Sequence, residues 1–395
     1  MTRRSLLLTT ILAALSAVPA PGAEPGPTTL WYARPAAKWT EALPLGNGRL
    51  GCMVFGGTAV DRIQLNEDTL WAGGPRDYAH PGAAEHLPEI RKLLFEGKQK
   101  EAERLATERF MSVPLRQMPY QPLGDLVLEL PGHEDARDYR RELDLDSGVA
   151  LTRYRVGETT LFTRQVFASF PDQVIVVRLA ADEPGALSFT ARLASPHKDA
   201  ATRALGKDTF VLAGGLGKYV YKRLRQEFDS PTRFEARLRV VAEGGTAKVD
   251  GSGITVEKAD AATLVLAAAT SYNDFQDVSA DPGARCAKVL DAIQGKDFAA
   301  LRAAHVADHR RLFRRVSLDL QGPITEPPGL PRRTNGAGTS PAARHDTKQE
   351  MLSCTRATRS PAAACWVPPA PPRPVSGSFP VTCWAGRATR RPARR

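Results

Sequence analysis

Between Leu123 and Ala268 apolar and polar positions alternate in short runs, broken at regular intervals by turn residues. Leu126–Leu130, Tyr139–Leu145, Val149–Val156, Thr159–Phe167, Val174–Leu179 and Ala186–Leu193 each read as a strand. Thr209–Leu212, Phe234–Val241, Ala247–Val249, Ile254–Val256 and Thr263–Ala268 complete the set. Asp146-Ser147-Gly148 and Phe170-Pro171-Asp172 supply turn signals between runs. Short strands at this spacing predict a large antiparallel sandwich.

Before that region, Leu43 to Trp71 predicts a turn, a strand over Arg49–Phe55, a Gly56-Gly57 turn and a strand over Ala59–Asn66. Ile63 to Asn66 alternates cleanly, as a strand with one wet face does. His80 to Phe110 changes period. Leu87, Ile90, Leu94, Ala102, Leu105 and Ala106 recur at helical spacing, and Gly97 breaks the run. Helical spacing returns over Ala284–Gln294 and Lys296–Arg315, followed by a short strand over Val316–Leu320. The expected fold is mainly β: a large antiparallel β-sandwich (a super-sandwich) over residues 28–283, with a helical insertion. A C-terminal helical linker over 284–320 and a disordered tail over 321–395 follow.

The ends change the picture. Arg3 and Arg4 precede a short apolar core, Ser5 to Val18, and Val18-Pro19-Ala20 offers a cleavage site, with Ala23 as a second. Residues 1–23 therefore read as a signal peptide, and the mature chain is expected to be periplasmic or secreted. No later segment is long and apolar enough for a membrane helix. The net charge of +11 suggests an anionic partner until it is located. Pro323 to Arg395 holds 11 Arg and 1 Lys against Glu326, Asp346 and Glu350, a surplus of nine. Arg3 and Arg4 supply the other two, so the body between is neutral and nucleic-acid binding by it is disfavoured. The tail also holds 13 of 31 Pro and shows no apolar periodicity. A shifted reading frame in a GC-rich gene and a natural basic tail both fit that composition.

Gly46-Asn47-Gly48-Arg49-Leu50-Gly51 matches G-x-G-x-x-G, but a strand follows where a dinucleotide site needs a helix N-terminus. The same stretch carries a resemblance. Leu43 to Gly57 and Ile63 to Pro75, with Leu30-Trp31-Tyr32, Pro35-Ala36, Tyr120 to Leu130 and His305 to Leu320, resemble the N-terminal domain of glycoside hydrolase family 95, the α-L-fucosidases. The resemblance runs from about Leu30 to about Leu320. It implies an intact enzyme that hydrolyses terminal α-L-fucosides, or related α-L-galactosides, with inversion. It also implies that acid, base and the Asn residues polarising the base lie in an (α/α)6 barrel that would begin after about Gln321. No residue here matches those positions, so no catalytic residue is carried over and the chain alone is expected to be inactive, its catalytic barrel missing. No cofactor or metal is expected, and the expected partner is a fucosylated glycan. The rival readings are a non-catalytic carbohydrate-binding or scaffolding module, and a polyanion binder acting through its basic tail.

Glycoside hydrolysis needs two carboxyl groups across the scissile bond. Glu67 and Asp68 are adjacent, and on a strand they face opposite sides. Asn47, Asn66, Glu67 and Trp71 are the candidates for lining the edge of a sugar site: amides and carboxylates bond hydroxyls, and Trp stacks on a pyranose face. His305, Asp308 and His309 share a helix face but lack a third ligand, so a packed helix face is the expected reading. Gly214-Gly215-Leu216-Gly217-Lys218 has Tyr219 where a phosphate loop needs Ser or Thr. Whether Cys52 and Cys286 pair is open from sequence. Cys354, Cys365 and Cys383 show no zinc spacing.

Overall fold

The computed structural model describes residues 28–221 and 226–318. Residues 1–23, expected to be a signal peptide, the tail from 321 and the last two residues of the expected strand Val316–Leu320 lie outside them. The first strands are β1 Thr29–Tyr32, β2 Leu43–Gly46, β3 Leu50–Val54 and β4 Val60–Glu67. Helices α1 Ala83–Phe95 and α2 Gln99–Arg109 follow. Next come β5 Gly124–Glu129, β6 Arg137–Asp144, β7 Val149–Val156, β8 Thr160–Ser169, β9 Val174–Ala181 and β10 Leu187–Ala194. The chain then forms β11 Ala201–Leu205, β12 Thr209–Tyr221, β13 Gln226–Glu243, β14 Thr246–Asp250, β15 Gly253–Ala259 and β16 Ala261–Thr270. Helices α3 Pro282–Ala292 and α4 Phe298–Phe313 close the described part.

The strands form two antiparallel sheets. One has the order β1-β6-β7-β8-β9-β16-β13-β12-β11, the other β14-β15-β10-β5-β4-β3-β2. Side chains alternate across a strand, so each sheet turns one apolar row inward. In β10, Leu187, Phe189, Ala191 and Leu193 are buried while Ser188, Arg192 and Ala194 are exposed. The inward rows of both sheets make the main core, which includes Leu50, Ile63, Leu126, Phe189, Phe234, Leu264 and Leu266. Each fully buried Leu or Phe there contributes about 1.5–3 kcal/mol relative to an exposed one.

Strand β16 differs from β10 because it is buried at every position. Leu264, Leu266 and Ala268 face the main core, while Val265, Ala267 and Ala269 face a second core. That second core holds Phe167, Cys286, Leu290, Ile293, Leu301 and Val306 and lies under α3 and α4. The stretch expected to be a helical linker thus forms two helices, both packed on the outer face of the nine-stranded sheet. Asp281 caps α3 by accepting from the Gly283 and Ala284 N–H groups, and Asp297 caps α4 through Ala300 N–H. Arg310 and Arg314 pin α4 to Asp146 on the β6–β7 turn and hold that carboxyl at about 2.

The far end of the sandwich is tied by a buried ion pair. Arg164 on β8 and Asp61 on β4 bridge the two sheets and are 2% and 0% exposed at their side chains. Arg164 also donates to Gly57 O at 3.1 Å, and Asp61 accepts from Gly57 N–H at 2.9 Å. Tyr139 OH donates to Gly56 O at 2.5 Å, so the Gly56-Gly57 turn is held from three sides.

Four expectations change. Leu43–Gly46, expected as part of a turn, is strand β2, and the turn itself is Asn47-Gly48-Arg49. Its register pairs Gly46 with Gly51, so the G-x-G-x-x-G stretch is a β-hairpin. Strand β11 was not expected, because all five of its residues are exposed and show no alternation. Strand β12 extends past Leu212 to Tyr221 through three glycines. At Gly214 an added Cβ would lie 2.8 Å from Ala200 Cα, so glycine there reflects close backbone approach. Val316–Leu318 is not a strand: Val316 and Leu318 are 83% and 80% exposed. The helical insertion breaks at Gly97, as expected. Gly97 N–H donates to Leu94 O and Lys98 N–H to Leu93 O, a Schellman end to α1.

Candidate functional site

Where β4 leaves its sheet, the chain passes beside β13 and opens a cleft of about 510 Å³. Close approach forces glycine here. A Cβ on Gly73 would meet Met118 Cγ at 2.7 Å, and one on Gly74 would meet Pro231 at 2.9 Å. Ser230 Oγ accepts from Gly73 N–H at 2.7 Å, fixing that approach. One wall of the cleft carries Asp68, Thr69, Trp71, Arg76 and Tyr78. The other is the loop after β16, with Tyr272, Asp274 and Phe275. Phe275 is 75% exposed, a large apolar ring presented at the rim. A concave site with several aromatic rings and a few convergent polar groups suits a small polar ligand with apolar faces. A pyranose is such a ligand.

Trp71 is oriented by several contacts. Its indole Nε1 donates to Asp68 O at 2.9 Å, and its ring meets Tyr120 edge-on with centroids 5.3 Å apart. Tyr120 OH donates to Glu67 O at 2.9 Å. Arg76 lies over the Phe228 ring at 4.6 Å and the Tyr78 ring at 5.8 Å. Asp274 Oδ1 accepts from the Gln276 and Asp277 N–H groups, which shapes the opposite wall.

Of the four residues singled out from sequence, Trp71 lines this cleft. Asn47 is 5% exposed, and its side chain builds the hairpin turn: Oδ1 accepts from Leu50 N–H at 2.7 Å and Nδ2 donates to Ser169 O at 2.9 Å. Asn66 sits on β4 opposite Gly51, away from the cleft walls. Glu67 is 3% exposed and lies behind the wall that Asp68 and Thr69 form. Glu67 and Asp68 do face opposite ways, one sealed and one exposed. Glu67 Oε2 accepts from Thr69 N–H at 2.8 Å and Thr69 Oγ1 at 2.6 Å. Arg49 approaches the other oxygen at 3.4 Å. Burial raises the Glu67 carboxyl above its ordinary range, and the Thr69 bonds pull it partly back.

Arg76, Tyr78, Tyr272, Asp274 and Phe275 were not singled out from sequence. The signals available were the aromatic residues beside the Gly73-Gly74-Pro75 turn and in the loop before α3. Nothing in the chain says that these two segments, about 200 residues apart, meet.

The other stretches weighed from sequence serve packing. His305 and His309 on α4 bond Gly148 O and Leu145 O at 3.2 and 2.8 Å, and Asp308 pairs with Arg311. Gly214 to Lys218 lies within β12. Cys52 and Cys286 are free thiols in separate cores on opposite faces of the nine-stranded sheet, and burial pushes both up to about 12. Among the described residues no helix is long and apolar enough to cross a membrane.

Set beside known proteins, residues 30–274 match the model of glycosyl hydrolase family 65, N-terminal domain, and the chain belongs to that family. Its relatives carry fucosidase names. It is 35% identical over 321 residues to Alpha-L-fucosidase 2 of Arabidopsis thaliana, a match over 76% of this chain and 37% of that protein. It is 28% identical to the "Probable alpha-fucosidase A" of Aspergillus niger, over 72% of this chain and 36% of that one. The protein of that name in Aspergillus oryzae is 26% identical, over 74% and 41%. The chain therefore spans well under half the length of these curated relatives. The resemblance read from sequence, to the N-terminal domain of an α-L-fucosidase, holds.

Proposed function

We propose that this domain is the non-catalytic N-terminal part of an exported hydrolase of terminal α-L-fucosides, and that its aromatic cleft holds sugar. The observation carrying the reading is the cleft itself: Trp71 and Tyr272 offer flat apolar faces, with Asp68, Asp274 and Gln117 beside them for hydroxyls. The fucosidase names of the relatives supply the substrate class.

The chain by itself is proposed to be inactive. A general acid needs both a raised pKa and access to the glycosidic oxygen. Burial raises Glu67, but the same burial removes it from any substrate. The acid and base are proposed to come from sequence corresponding to the rest of the relatives' length.

The purified chain, mixed with a chromogenic α-L-fucoside, is expected to release no chromophore. Titration with methyl α-L-fucoside is expected to change tryptophan fluorescence. Trp71→Ala removes the reporting indole, so its affinity is read by isothermal titration calorimetry, and binding is expected to weaken roughly tenfold, the equivalent of about 1.4 kcal/mol. Turnover by the wild-type chain would overturn the inactive assignment, and equal affinity of the variant would remove Trp71 from the sugar site. Export belongs to the same proposal and rests on the Arg3-Arg4 start, the apolar core and the small residues before Ala20. N-terminal sequencing of periplasmic or secreted material is expected to begin just after Ala20 or Ala23; a product retained in the cytoplasm with Met1 intact would end that part.

A further inference from the structure

The cleft walls belong to different sheets. Asp68–Trp71 continues from β4 in the seven-stranded sheet, and Tyr272–Val278 continues from β16 in the nine-stranded sheet. Two sheets packed through apolar side chains can slide by small amounts, so something must set the spacing where they part. At this mouth a chain of directed hydrogen bonds crosses from one sheet to the other.

Its direction follows from donor and acceptor counts. Glu67 Oε2 accepts from Thr69 N–H at 2.8 Å and from the Thr69 hydroxyl at 2.6 Å, so the Thr69 hydroxyl proton goes to it. Thr69 Oγ1 has then spent its proton, and the contact of 2.5 Å with Thr270 Oγ1 requires Thr270 to donate. Thr270 Oγ1 in turn accepts from Tyr272 N–H at 3.2 Å. The relay thus runs from Tyr272 N–H through Thr270 and Thr69 to Glu67. It begins on one cleft wall and passes through a residue of the other. Thr270 is 1% exposed and Glu67 3%, so water is kept from both of these side chains, while Thr69 between them is half-buried at the cleft wall.

Arg49 braces the anchor. Its guanidinium reaches Glu67 Oε1 at 3.4 Å, Ala268 O on β16 at 2.5 Å, and Gln173 at the start of β9. The buried carboxylate therefore has its cation, and the cation is itself fixed to the opposite sheet. Asp68 and Trp71 flank Thr69 on one cleft wall, and Tyr272 follows Thr270 by two residues on the other.

We propose that Glu67, Thr69 and Thr270 are positioning residues that fix the spacing of the two cleft walls and so set the cleft's affinity for a pyranoside. The ligand part of this statement rests on the sugar-binding reading above; the wall-spacing part does not. Sequence marks Glu67 as a candidate sugar contact; the structure gives it a role one layer back.

The test uses the full chain and three substitutions. Thr270→Val is isosteric and removes the hydroxyl, Thr270→Ser keeps it, and Thr69→Val breaks the same relay from the other side. Amide hydrogen exchange of segments 68–72 and 272–278 is followed, with β7 and β10 as internal references. Thr270→Val and Thr69→Val are expected to speed exchange in both wall segments at least about tenfold, leaving the references unchanged, and Thr270→Ser to match wild type. Affinity for methyl α-L-fucoside is expected to fall about tenfold in the two Val variants and to be restored in Thr270→Ser. Unchanged exchange in Thr270→Val overturns the inference whatever the sugar does. So does a loss in Thr270→Ser equal to that in Thr270→Val, which would mean simple packing. If wild type fails to bind the fucoside while the exchange result stands, the sugar-binding reading fails and the wall-spacing role remains.

Discussion

Arg164→Met is expected to lower the stability of the domain by about 3–5 kcal/mol, read as a drop in denaturant midpoint with little change in slope. The reason is that it strands a charge. Asp61 has no exposed surface, and its carboxylate would keep one main-chain donor and lose its cation. Asp61→Leu is expected to cost a similar amount, since it strands Arg164 and leaves Gly57 N–H unpaired. The double substitution, Asp61→Leu with Arg164→Met, is expected to cost less than the sum, because an apolar pair can replace a buried ion pair at little cost. It will not be neutral, because Gly57 still lacks its acceptor, a loss of about 1–3 kcal/mol. A loss below about 1 kcal/mol in Arg164→Met would show that the pair is not sealed from water.

Phe167→Ala is the second large effect, expected at about 3–5 kcal/mol. Phe167 is fully buried on β8 and stacks on His305 of α4, centroids 4.8 Å apart, with Phe298 at 6.0 Å. Its truncation leaves a hole between the sheet and the helical layer. Limited proteolysis then distinguishes a packed layer from a tether. A packed layer predicts that cleavage within 282–313 appears only as the whole domain unfolds. Early cleavage there, with the sandwich intact in wild type, would make α3 and α4 an independent appendage.

The sequence showed the sandwich well because a strand with one wet face writes a period of two. Val149–Val156, Thr160–Ser169 and Leu187–Ala194 fall within a residue or two of where that pattern put them. It failed where the period is absent. Ala201–Leu205 is exposed on both faces, and the glycines of Gly214 to Gly217 give no pattern to read. The pairing of strands was not legible either. Nothing local to Ala261–Thr270 says that it enters between β9 and β13, and its run of apolar residues signals only that both faces are covered. The candidate site was half legible for a related reason. Trp71 was within reach because an aromatic next to Gly-Gly-Pro marks a formed exit from a strand. The partner wall, Tyr272 to Phe275, is distant in sequence and joined to it only by the fold. Glu67 was noticed for its charge, but charge alone does not distinguish a group that touches a ligand from one that holds the wall behind it.

Strand β16 has a consequence for how the chain is made. It is the last strand among the described residues, yet it sits between β9 and β13, in the middle of its sheet. Until Thr270 has emerged from the ribosome, the nascent chain has two incomplete half-sheets with open, apolar inner edges. Such edges pair readily with neighbouring molecules, and contacts so far apart in sequence close slowly. Completion by a final central insertion therefore keeps apolar strand edges open until late in synthesis, which makes aggregation of the unfinished chain the expected hazard of this topology.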